Sequence, residues 1–302
     1  MLYCLAVRFT LPLPMLPAGH LVPLARAAEA AGYDTIAVPD SVFFPETVSG
    51  DYPFSPDGRR WWAPETPFVE PFVAVAAMAA ATERITFLTN VVKLPLRNPL
   101  LVAKQVTSIA ALSGDRFRLG VGLSWMPEEF AWCGTDMRTR GARTDEAIAV
   151  LRALCGGGGP RWVEHHGRHY DFDRLMMSPA PTRPVPILVG GHSDAALGRA
   201  ARLADGWISA NGTESELAEL LRVLAKARVD AGRVDDPFEI NALCVDVLDA
   251  AGFRRMGAMG VTEAQVVPWF LYGGDPTSLD VQLAGVNRFA ETVIAALREE
   301  ET

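Results

Sequence analysis

The chain has 302 residues, of which 49% are hydrophobic, and its formal net charge is -8. A chain of this length buries a sizeable core, and its acidic balance argues against partners bound through phosphate neutralisation, such as DNA or RNA. The four cysteines, Cys4, Cys133, Cys155 and Cys244, are far apart and form no Cys-x-x-Cys pair, which argues against a disulfide framework or a zinc cluster and predicts small buried thiols.

The first half of the chain alternates between apolar runs and amphipathic stretches. Its start lacks a basic region and is interrupted by prolines, so it does not fit a secretory signal, and no apolar run is long enough to span a bilayer. We therefore expect a cytoplasmic protein without a membrane partner. The predicted elements are strand Leu2–Phe9, helix Leu21–Ala31, strand Thr35–Val38, helix Pro71–Ala81, strand Ile85–Leu88, helix Asn98–Leu112 and strand Phe117–Val121.

The second half repeats this alternation up to the end of the chain. The predicted elements are helix Arg140–Leu154, strand Ile187–Val189, helix Asp194–Ala204, strand Trp207–Ser209, helix Glu214–Ala231, strand Glu239–Val245, helix Ala250–Met259, strand Ala264–Val267 and helix Pro276–Arg298. About eight strand and helix units result, the number that closes an α/β (β/α)8 TIM barrel, here as a single domain over residues 1–302. A doubly wound open sheet is the main alternative, but no Gly-x-Gly-x-x-Gly follows the first strand.

Two segments are longer than ordinary connections between elements. Val42–Glu70 is an extended loop after the second strand and is rich in aromatic residues, prolines and glycines. It is either a lid or pocket wall, or a structural loop that its aromatic side chains anchor. Trp162–Phe172 predicts a small hairpin inserted before the fifth strand.

Glycine and polar residues follow the apolar cores of several strands. In a barrel of parallel strands these positions lie at the carboxyl-end face, where loops build the active site. Gly122, which ends the sequence Gly120-Val-Gly122, either lets a flat ligand approach the strand end or relieves a packing contact inside the barrel. Trp125 either stacks on a ring or plugs the barrel mouth.

A second glycine pair lies between the fifth strand and the next helix. The backbone amides of Gly190 and Gly191 can approach an anion closely, and Ser193, after His192, can cap a helix whose N-terminal end favours phosphate. The alternative interpretation is a tight turn from strand to helix.

Other candidate catalytic groups are few. The histidines within His165–His169 have no carboxylate at a spacing that would complete a metal site, and no nucleophile elbow or Walker loop is present, so we expect no metal. Glu128 and Glu129 either serve as acid or base at the barrel mouth or are solvated residues that favour a helix dipole. This lack of nucleophile and metal sets suggests chemistry borrowed from an organic cofactor.

Five stretches together resemble the bacterial luciferase-like monooxygenase superfamily, and within it the branch that uses the deazaflavin coenzyme F420 in place of FMN. They are Thr89–Pro99, Ala103–Gln105, Leu112–Arg116, Gly120–Gly122 with Trp125, and Ala204–Trp207. The resemblance runs from about Leu2 to the last helix. It implies a TIM barrel, a flavin-type ring at the carboxyl ends of the strands, and hydride transfer.

The resemblance also implies roles for individual residues. Asp40 and Ser41 stand where the family often has Asp-His near the deazaflavin ring, so no catalytic imidazole is expected there. Asn90–Val91 matches a non-prolyl cis peptide behind the ring, and Trp125 replaces an acidic residue of the sugar-phosphate dehydrogenases, which argues against that activity. The resulting site assigns Asp40, Ser41 and Trp125 to catalysis, and Thr89, Asn90, Val91, Gly122, Gly190, Gly191, His192 and Ser193 to binding of the cofactor ring and phosphate.

The expected function is therefore hydride transfer between F420 and a small, partly apolar substrate, by a protein that the resemblance makes a homodimer. One alternative is an FMN-dependent monooxygenase that receives reduced flavin from a separate reductase and reacts with oxygen. A second is a deazaflavin-binding protein without catalytic activity. A barrel that uses sugar phosphates without flavin leaves the resemblance after the third strand unexplained.

Overall fold

Parallel strands form a closed barrel in the computed structural model, which describes residues 7–299. The strands of the described part are β1 (Arg8–Pro12), β2 (Thr35–Val38), β3 (Thr86–Thr89), β4 (Val92–Lys93), β5 (Phe117–Gly122), β6 (Trp162–His166), β7 (Asp171–Met176), β8 (Ile187–Gly190), β9 (Gly206–Ser209), β10 (Glu239–Ala242) and β11 (Glu263–Gln265). All except β4, β6 and β7 form the wall in chain order, and pairing of β3 with β5 closes it. The predicted (β/α)8 TIM barrel is confirmed.

Helices surround the barrel and begin and end at residues that favour those positions. Asn98 caps one helix by accepting a hydrogen bond from the Leu100 amide, and Thr213 with Glu216 forms a capping box on another. Within residues 7–299, no helix combines the length and apolar character needed to cross a bilayer. The helices are α1 (Ala18–Ala31), α2 (Pro71–Ala79), α3 (Pro99–Ser113), α4 (Pro127–Trp132), α5 (Arg140–Leu154), α6 (Asp194–Leu203), α7 (Glu214–Asp230), α8 (Ala250–Ala258), α9 (Leu279–Phe289) and α10 (Ala295–Glu299), the last two joined by a π-helical turn.

The main apolar core lies between the barrel and its helices. Phe9 on β1 meets Phe253 on α8 and Phe289 on α9 edge to face, with ring centroids 5.1 and 5.5 Å apart. All three rings are buried, and each such side chain contributes about 2 to 3 kcal/mol through the area that it removes from water. A separate apolar cluster of strand residues consists of Ala37, Leu88, Leu188 and Ile208.

Near the start of its strands, the barrel interior is polar and charged. Arg118 on β5 donates hydrogen bonds of 2.7 and 3.0 Å to Glu263 on β11 and also contacts Glu239 and Thr35. Burial alone would raise the pKa of the Glu263 carboxyl, but the charge and hydrogen bonds of Arg118, with help from Arg8, lower it to about 2. This buried carboxylate is therefore ionised throughout the physiological range.

Both long segments predicted from the sequence are present. Residues 39–70 contain neither helix nor strand, and β6 pairs with β7 as an antiparallel hairpin that extends past the predicted end at Phe172 to Met176. The hairpin precedes β8, which is the fifth strand of the barrel wall.

Other features differ from the predictions. In the described part, the first strand continues to Pro12, beyond the predicted end at Phe9, because the polar Thr10 belongs to it; residues 2–6 lie outside the described part, as does Cys4. β4 and α4 have only two and six residues, too few for a periodic pattern to reveal them. Of the three cysteines in residues 7–299, two are buried as predicted, but Cys133 is exposed at the end of α4, so the expectation of a buried thiol is wrong there.

Candidate active site

The wall of the barrel divides at the Asn90–Val91 bulge. Leu88 pairs with Arg118, and the next pair is Val92 with Val121, so four residues advance along one chain against three along the other. An extra residue of this kind makes a β-bulge, which bends the chain away from its partner strand. The Asn90–Val91 peptide is cis, as the resemblance implies.

Two glycines leave the space that the bulge occupies. A Cβ atom on Gly122 would lie 2.6 Å from Val91 Cγ2, and one on Gly190 would lie 3.0 Å from Val91 Cγ1. The Val91 side chain therefore fits between the ends of β5 and β8 only because neither strand carries a side chain there. Of the two interpretations of Gly122, the structure contains the packing contact, and a contact between Gly122 and a ligand stays a prediction.

Thr89 joins β3 to β5 just below the bulge. Its hydroxyl donates to the Gly120 carbonyl at 2.8 Å and accepts from the Gly120 amide at 2.9 Å, and the residue is fully buried. A Cβ on Gly120 would lie 1.9 Å from the Thr89 carbonyl oxygen, so this close approach requires glycine. These bonds occupy the Thr89 hydroxyl. The predicted contact between Thr89 and the cofactor would therefore involve other atoms of the residue.

Asp40 lies at the end of β2 and holds the loop that follows β4. Its carboxylate accepts hydrogen bonds of 2.7 and 2.9 Å from Arg97 and one of 2.9 Å from the Lys93 amide. Its side chain is only 2% exposed, so this is a buried ion pair. The neighbouring Ser41 is partly buried and makes no hydrogen bond within residues 7–299, which leaves its hydroxyl free for a ligand.

A second buried ion pair lies beside the first. The Lys93 ammonium contacts Glu129 on α4, whose side chain is fully buried and also accepts a hydrogen bond from Ser124. Burial rules out the interpretation of Glu129 as a solvated residue that only favours a helix dipole. Glu128 faces the extended loop and accepts hydrogen bonds from the amide and hydroxyl of Ser49.

The glycine turn after β8 leads directly into α6. Gly191 has a φ of +121°, which side chains rarely tolerate, and Ser193 caps the helix by accepting from the Ala196 amide. The backbone N–H groups of His192 and Ser193 donate no hydrogen bond within the described residues. This turn, which we name the anion cradle (residues 190–193), therefore presents free donors at a helix N-terminus.

His192 is held in one tautomer by its neighbours. Its Nε2 atom accepts a hydrogen bond of 3.0 Å from the Ala210 amide, so the ring proton resides on Nδ1. Burial lowers the pKa of the imidazole below its ordinary value, which outweighs the opposing effect of Glu216. The ring is therefore neutral at pH 7 and supplies no positive charge to the cradle.

The extended loop crosses the barrel mouth and touches residues from two strand ends. Tyr52 packs edge to face against Trp62 and Trp125, with ring centroids 5.0 and 5.5 Å apart. Phe54 packs against His192 at 5.7 Å, so the loop joins the region after β5 to the anion cradle. These contacts place the loop beside the site and also anchor it, so a pocket wall and an anchored structural loop both agree with the structure.

The bulge is also connected to the barrel interior. The Asn90 side-chain amide donates a hydrogen bond of 2.9 Å to Gln265 Oε1 on β11. Gln265 in turn contacts Asn241 on β10, which donates to Thr10 on β1 at 2.9 Å. A continuous set of hydrogen bonds thus links the bulge to the polar interior.

The structure brings the predicted residues together at the carboxyl ends of β2, β3, β5 and β8, as a parallel barrel requires. Sequence reasoning missed several polar partners of these residues. Two of these partners could have been found from their position in the Thr89–Pro99 stretch: Lys93, one of three lysines, and Arg97, inside Pro-Leu-Arg-Asn-Pro. The partners without a recognised motif are Thr10, Asn241 and Gln265, whose only signal is a polar side chain within an otherwise apolar strand. Within residues 7–299, no group of His, Cys, Asp and Glu is arranged to hold a metal ion.

Comparison with known proteins gives consistent matches. Residues 2–245 match the model of the luciferase-like monooxygenase family. An uncharacterised protein of Mycobacterium tuberculosis is 44% identical over 292 residues, which cover 96% of this chain and 99% of that protein. An F420-dependent glucose-6-phosphate dehydrogenase of Tsukamurella paurometabola is 30% identical over 224 residues, which cover 72% of this chain and 60% of that protein.

A solved structure supports the same architecture. The coenzyme F420 dependent tetrahydromethanopterin reductase from Methanopyrus kandleri superimposes with a TM-score of 0.69, covering 97% of this chain and 99% of that one. Its sequence is 14% identical, so this likeness concerns the barrel fold alone.

Proposed function

Because the chain belongs to the luciferase-like monooxygenase family, we propose that it is an oxidoreductase that transfers a hydride between coenzyme F420 and a small, partly apolar organic substrate. Membership of this family supports an oxidoreductase. The choice of F420, the residues that bind it and the class of substrate are our proposal.

The observation that carries the proposal is the contact between the bulge and the anion cradle. Val91 packs into the space beside Gly190, so the surface behind the expected ring adjoins the donors expected for the phosphate. Free backbone N–H groups at the N-terminus of α6 suit an anion, and the adjoining wall suits a planar ring. The residues present therefore fit a planar cofactor with a phosphate tail.

When bound, the deazaflavin supplies the hydride chemistry, and the chain supplies position and surroundings. The Asn90–Val91 bulge supports one face of the ring, and residues 190–193 bind the phosphate. The aromatic side chains of the extended loop keep water away from the reacting atoms. Ser41, at the position where the resemblance implies a histidine, offers a free hydroxyl to the substrate or to a water molecule.

F420 is favoured over FMN by the similarity to a relative whose name specifies F420 dependence. The FMN alternative rests on the family description, which is that of a monooxygenase. In that alternative a separate reductase supplies reduced flavin and oxygen is the second substrate. A homodimer is proposed in both cases.

The substrate is proposed to be partly apolar because aromatic rings line the side of the mouth near the cradle. Tyr52, Trp62 and Trp125 form one contiguous cluster there. Trp125 also occupies the position where sugar-phosphate dehydrogenases of the resemblance carry an acidic residue. We therefore expect an enone, ketone or alcohol of modest polarity rather than a sugar phosphate.

The test is a binding titration of the purified protein with F420 and with FMN, followed by optical spectra. In the variant Ser193→Asp the new carboxylate still caps α6 but repels a phosphate, so we expect binding of F420 to weaken by about tenfold or more. The matched control is Asn98→Asp, the same kind of change at the N-cap of α3, which should bind F420 as the parent does.

A second titration uses the deazaflavin chromophore that lacks the phosphate. Ser193→Asp should bind the deazaflavin chromophore that lacks the phosphate as well as the parent protein binds it, and an equal loss for both ligands would contradict the cradle. Tight FMN binding with oxygen consumption would replace our proposal by the monooxygenase alternative. F420 binding without turnover of enones or alcohols would favour the non-catalytic binding protein.

A further inference from the structure

A chain of hydrogen bonds between buried side chains runs through the barrel from Glu263 to the bulge. Thr10 donates to Glu263 Oε1 at 2.6 Å, and Asn241 donates to Thr10 at 2.9 Å. Gln265 then donates to Asn241 Oδ1, and Asn90 donates to Gln265 Oε1 at 2.9 Å. Of these hydrogen-bonded residues, Thr10, Asn241 and Glu263 are fully buried, so water does not offer them alternative partners.

The chemistry of Glu263 fixes the direction of every bond in this chain. Glu263 is held as an anion by two hydrogen bonds from Arg118, so it only accepts, and the single hydroxyl proton of Thr10 must point to it. The Thr10 oxygen is then an acceptor, which only the NH2 group of Asn241 can satisfy. The same reasoning orients Gln265, because reversing any amide would place two oxygen atoms against each other.

The direction of these hydrogen bonds determines which atom of Asn90 stays unbonded at the bulge. The NH2 group of Asn90 is committed to Gln265, so its carbonyl oxygen Oδ1 is the atom left at the bulge. Within residues 7–299 this oxygen accepts no hydrogen bond, and it is not among the buried polar atoms without a partner, so it is open to solvent. The barrel therefore presents an oriented acceptor at its mouth.

We propose that Thr10 and Glu263 are positioning residues which hold the Asn90 amide with its oxygen toward the site, and that this oxygen selects a ligand carrying an N–H or O–H donor there. We assign the donor to a ring N–H of the bound cofactor; unchanged F420 binding with a raised KM for the substrate in Thr10→Val would assign it to a substrate hydroxyl instead. The identity of that ligand rests on the proposed function, whereas the orientation of the amide does not. A ligand that offers only an acceptor at this point is disfavoured, because two lone pairs would face each other.

The orientation is tested in the ligand-free protein by neutron diffraction from a deuterated crystal, which locates the two deuterons of the Asn90 amide. We expect the Nδ2 group of Asn90 to face Gln265 and its oxygen to face the barrel mouth. Deuterons on the side of the barrel mouth would overturn the proposal, whatever cofactor the protein binds.

The positioning role is tested with Thr10→Val, which has nearly the same shape but no hydroxyl, and with Thr10→Ser as the matched control. The chain contains five asparagines and three glutamines, so NMR spectra of protein labelled with 15N at these residues resolve each side-chain amide. In Thr10→Val we expect the Asn90 amide to exchange between two orientations and F420 to bind about fivefold more weakly, and we expect Thr10→Ser to restore both.

The outcomes separate this inference from the proposed function. A single, unchanged Asn90 orientation in folded Thr10→Val would overturn the positioning role, and unfolding of that variant would leave the decision to the neutron result and to Thr10→Ser. If neither F420 nor FMN binds but the amide is oriented as expected, the proposed function fails and the oriented acceptor stands.

Discussion

At the scale of single residues, Asp40 has a structural role that the sequence does not reveal. Its carboxylate receives two hydrogen bonds from Arg97 and one from the Lys93 amide, and so ties the end of β2 to the chain after β4. A residue assigned to catalysis by resemblance is thus also an anchor of the loops that surround the site. Its predicted contribution to the chemistry stays a prediction.

The variant Asp40→Asn tests the anchor. It keeps the size of the side chain but leaves the mostly buried Arg97 guanidinium without a carboxylate, so we expect the free energy of unfolding in urea to fall by about 3 kcal/mol. The matched control, Asp136→Asn, breaks an exposed pair with Arg138 and should leave the free energy of unfolding nearly unchanged. Equal small losses in both variants would show that Asp40 is not an anchor.

Thr89 and Gly122 show where prediction from sequence stops at this scale. The sequence indicates that both lie at strand ends, and the structure agrees. The sequence does not indicate that the Thr89 hydroxyl is hydrogen-bonded to Gly120 or that Val91 fills the space beside Gly122. Those contacts depend on the register between β3 and β5, which is set by an extra residue that no local pattern reveals.

At the scale of elements, the extended loop is held over the mouth by aromatic contacts and by one polar tether. Tyr52 packs against Phe54, Trp62 and Trp125, and Glu128 accepts two hydrogen bonds from Ser49. The loop contains no helix or strand of its own, so these side-chain contacts determine how often it opens.

Replacing Tyr52 with alanine should therefore loosen the loop while leaving the barrel intact. We expect trypsin to cleave after the exposed Arg59 about fivefold faster, because local opening becomes easier, while the free energy of global unfolding changes by less than about 1.5 kcal/mol. Timed proteolysis with identification of the first cut by mass spectrometry measures this. Trp61→Ala removes a ring that is 62% exposed and should leave the cleavage rate nearly unchanged; equal acceleration in both variants would argue against Tyr52 as the anchor.

Most elements could be predicted because each has a periodic or continuous apolar face. Helix Arg140–Leu154 and strand Thr35–Val38 have the predicted bounds. β4 and α4 could not, since two and six residues are too short for a period, and each is held by contacts with other segments, β4 by β5 and α4 by Lys93. The same limit applies to Glu129, whose burial follows from its pairing with Lys93 rather than from its neighbours in the sequence.

At the scale of the whole molecule, charged groups inside the barrel make stability depend on pH. The pKa of Glu263 is lowered from 4.5 to about 2 in the folded protein, chiefly because the charge of Arg118 overcomes the effect of burial. Between these values the unfolded chain binds more protons than the folded one. The stabilisation is therefore complete above about pH 4.5 and is lost as the pH falls toward 2.

This carboxyl should account for about 3 kcal/mol of the decrease in unfolding free energy between pH 4.5 and 2. The variant Glu263→Gln should be less stable than the parent at pH 7 and should lack that part of the acid dependence. Urea titrations at several pH values compare the two. Glu239→Gln, which removes the more exposed partner of Arg118, should keep most of the decrease, and a parent-like pH dependence of Glu263→Gln would contradict the assignment.

The count of strand and helix units was sufficient to predict the barrel, because eight such units close a parallel wall. The interior of that wall was not predictable in the same way. Thr10, Asn241 and Gln265 belong to three different strands, and their hydrogen bonds arise only when closure brings β10, β11 and β1 side by side. A single sequence reports the elements, but not which polar side chains meet inside them.

The split pairing of β5 separates two tasks along one strand. Its lower residues, Phe117 and Arg118, join β3 and so seal the cylinder, whereas its upper residues, Val121 and Gly122, join the short β4. A change in the length of the chain between Leu88 and Val92 would alter the barrel mouth, while the pairing of β3 with β5 would keep the wall closed.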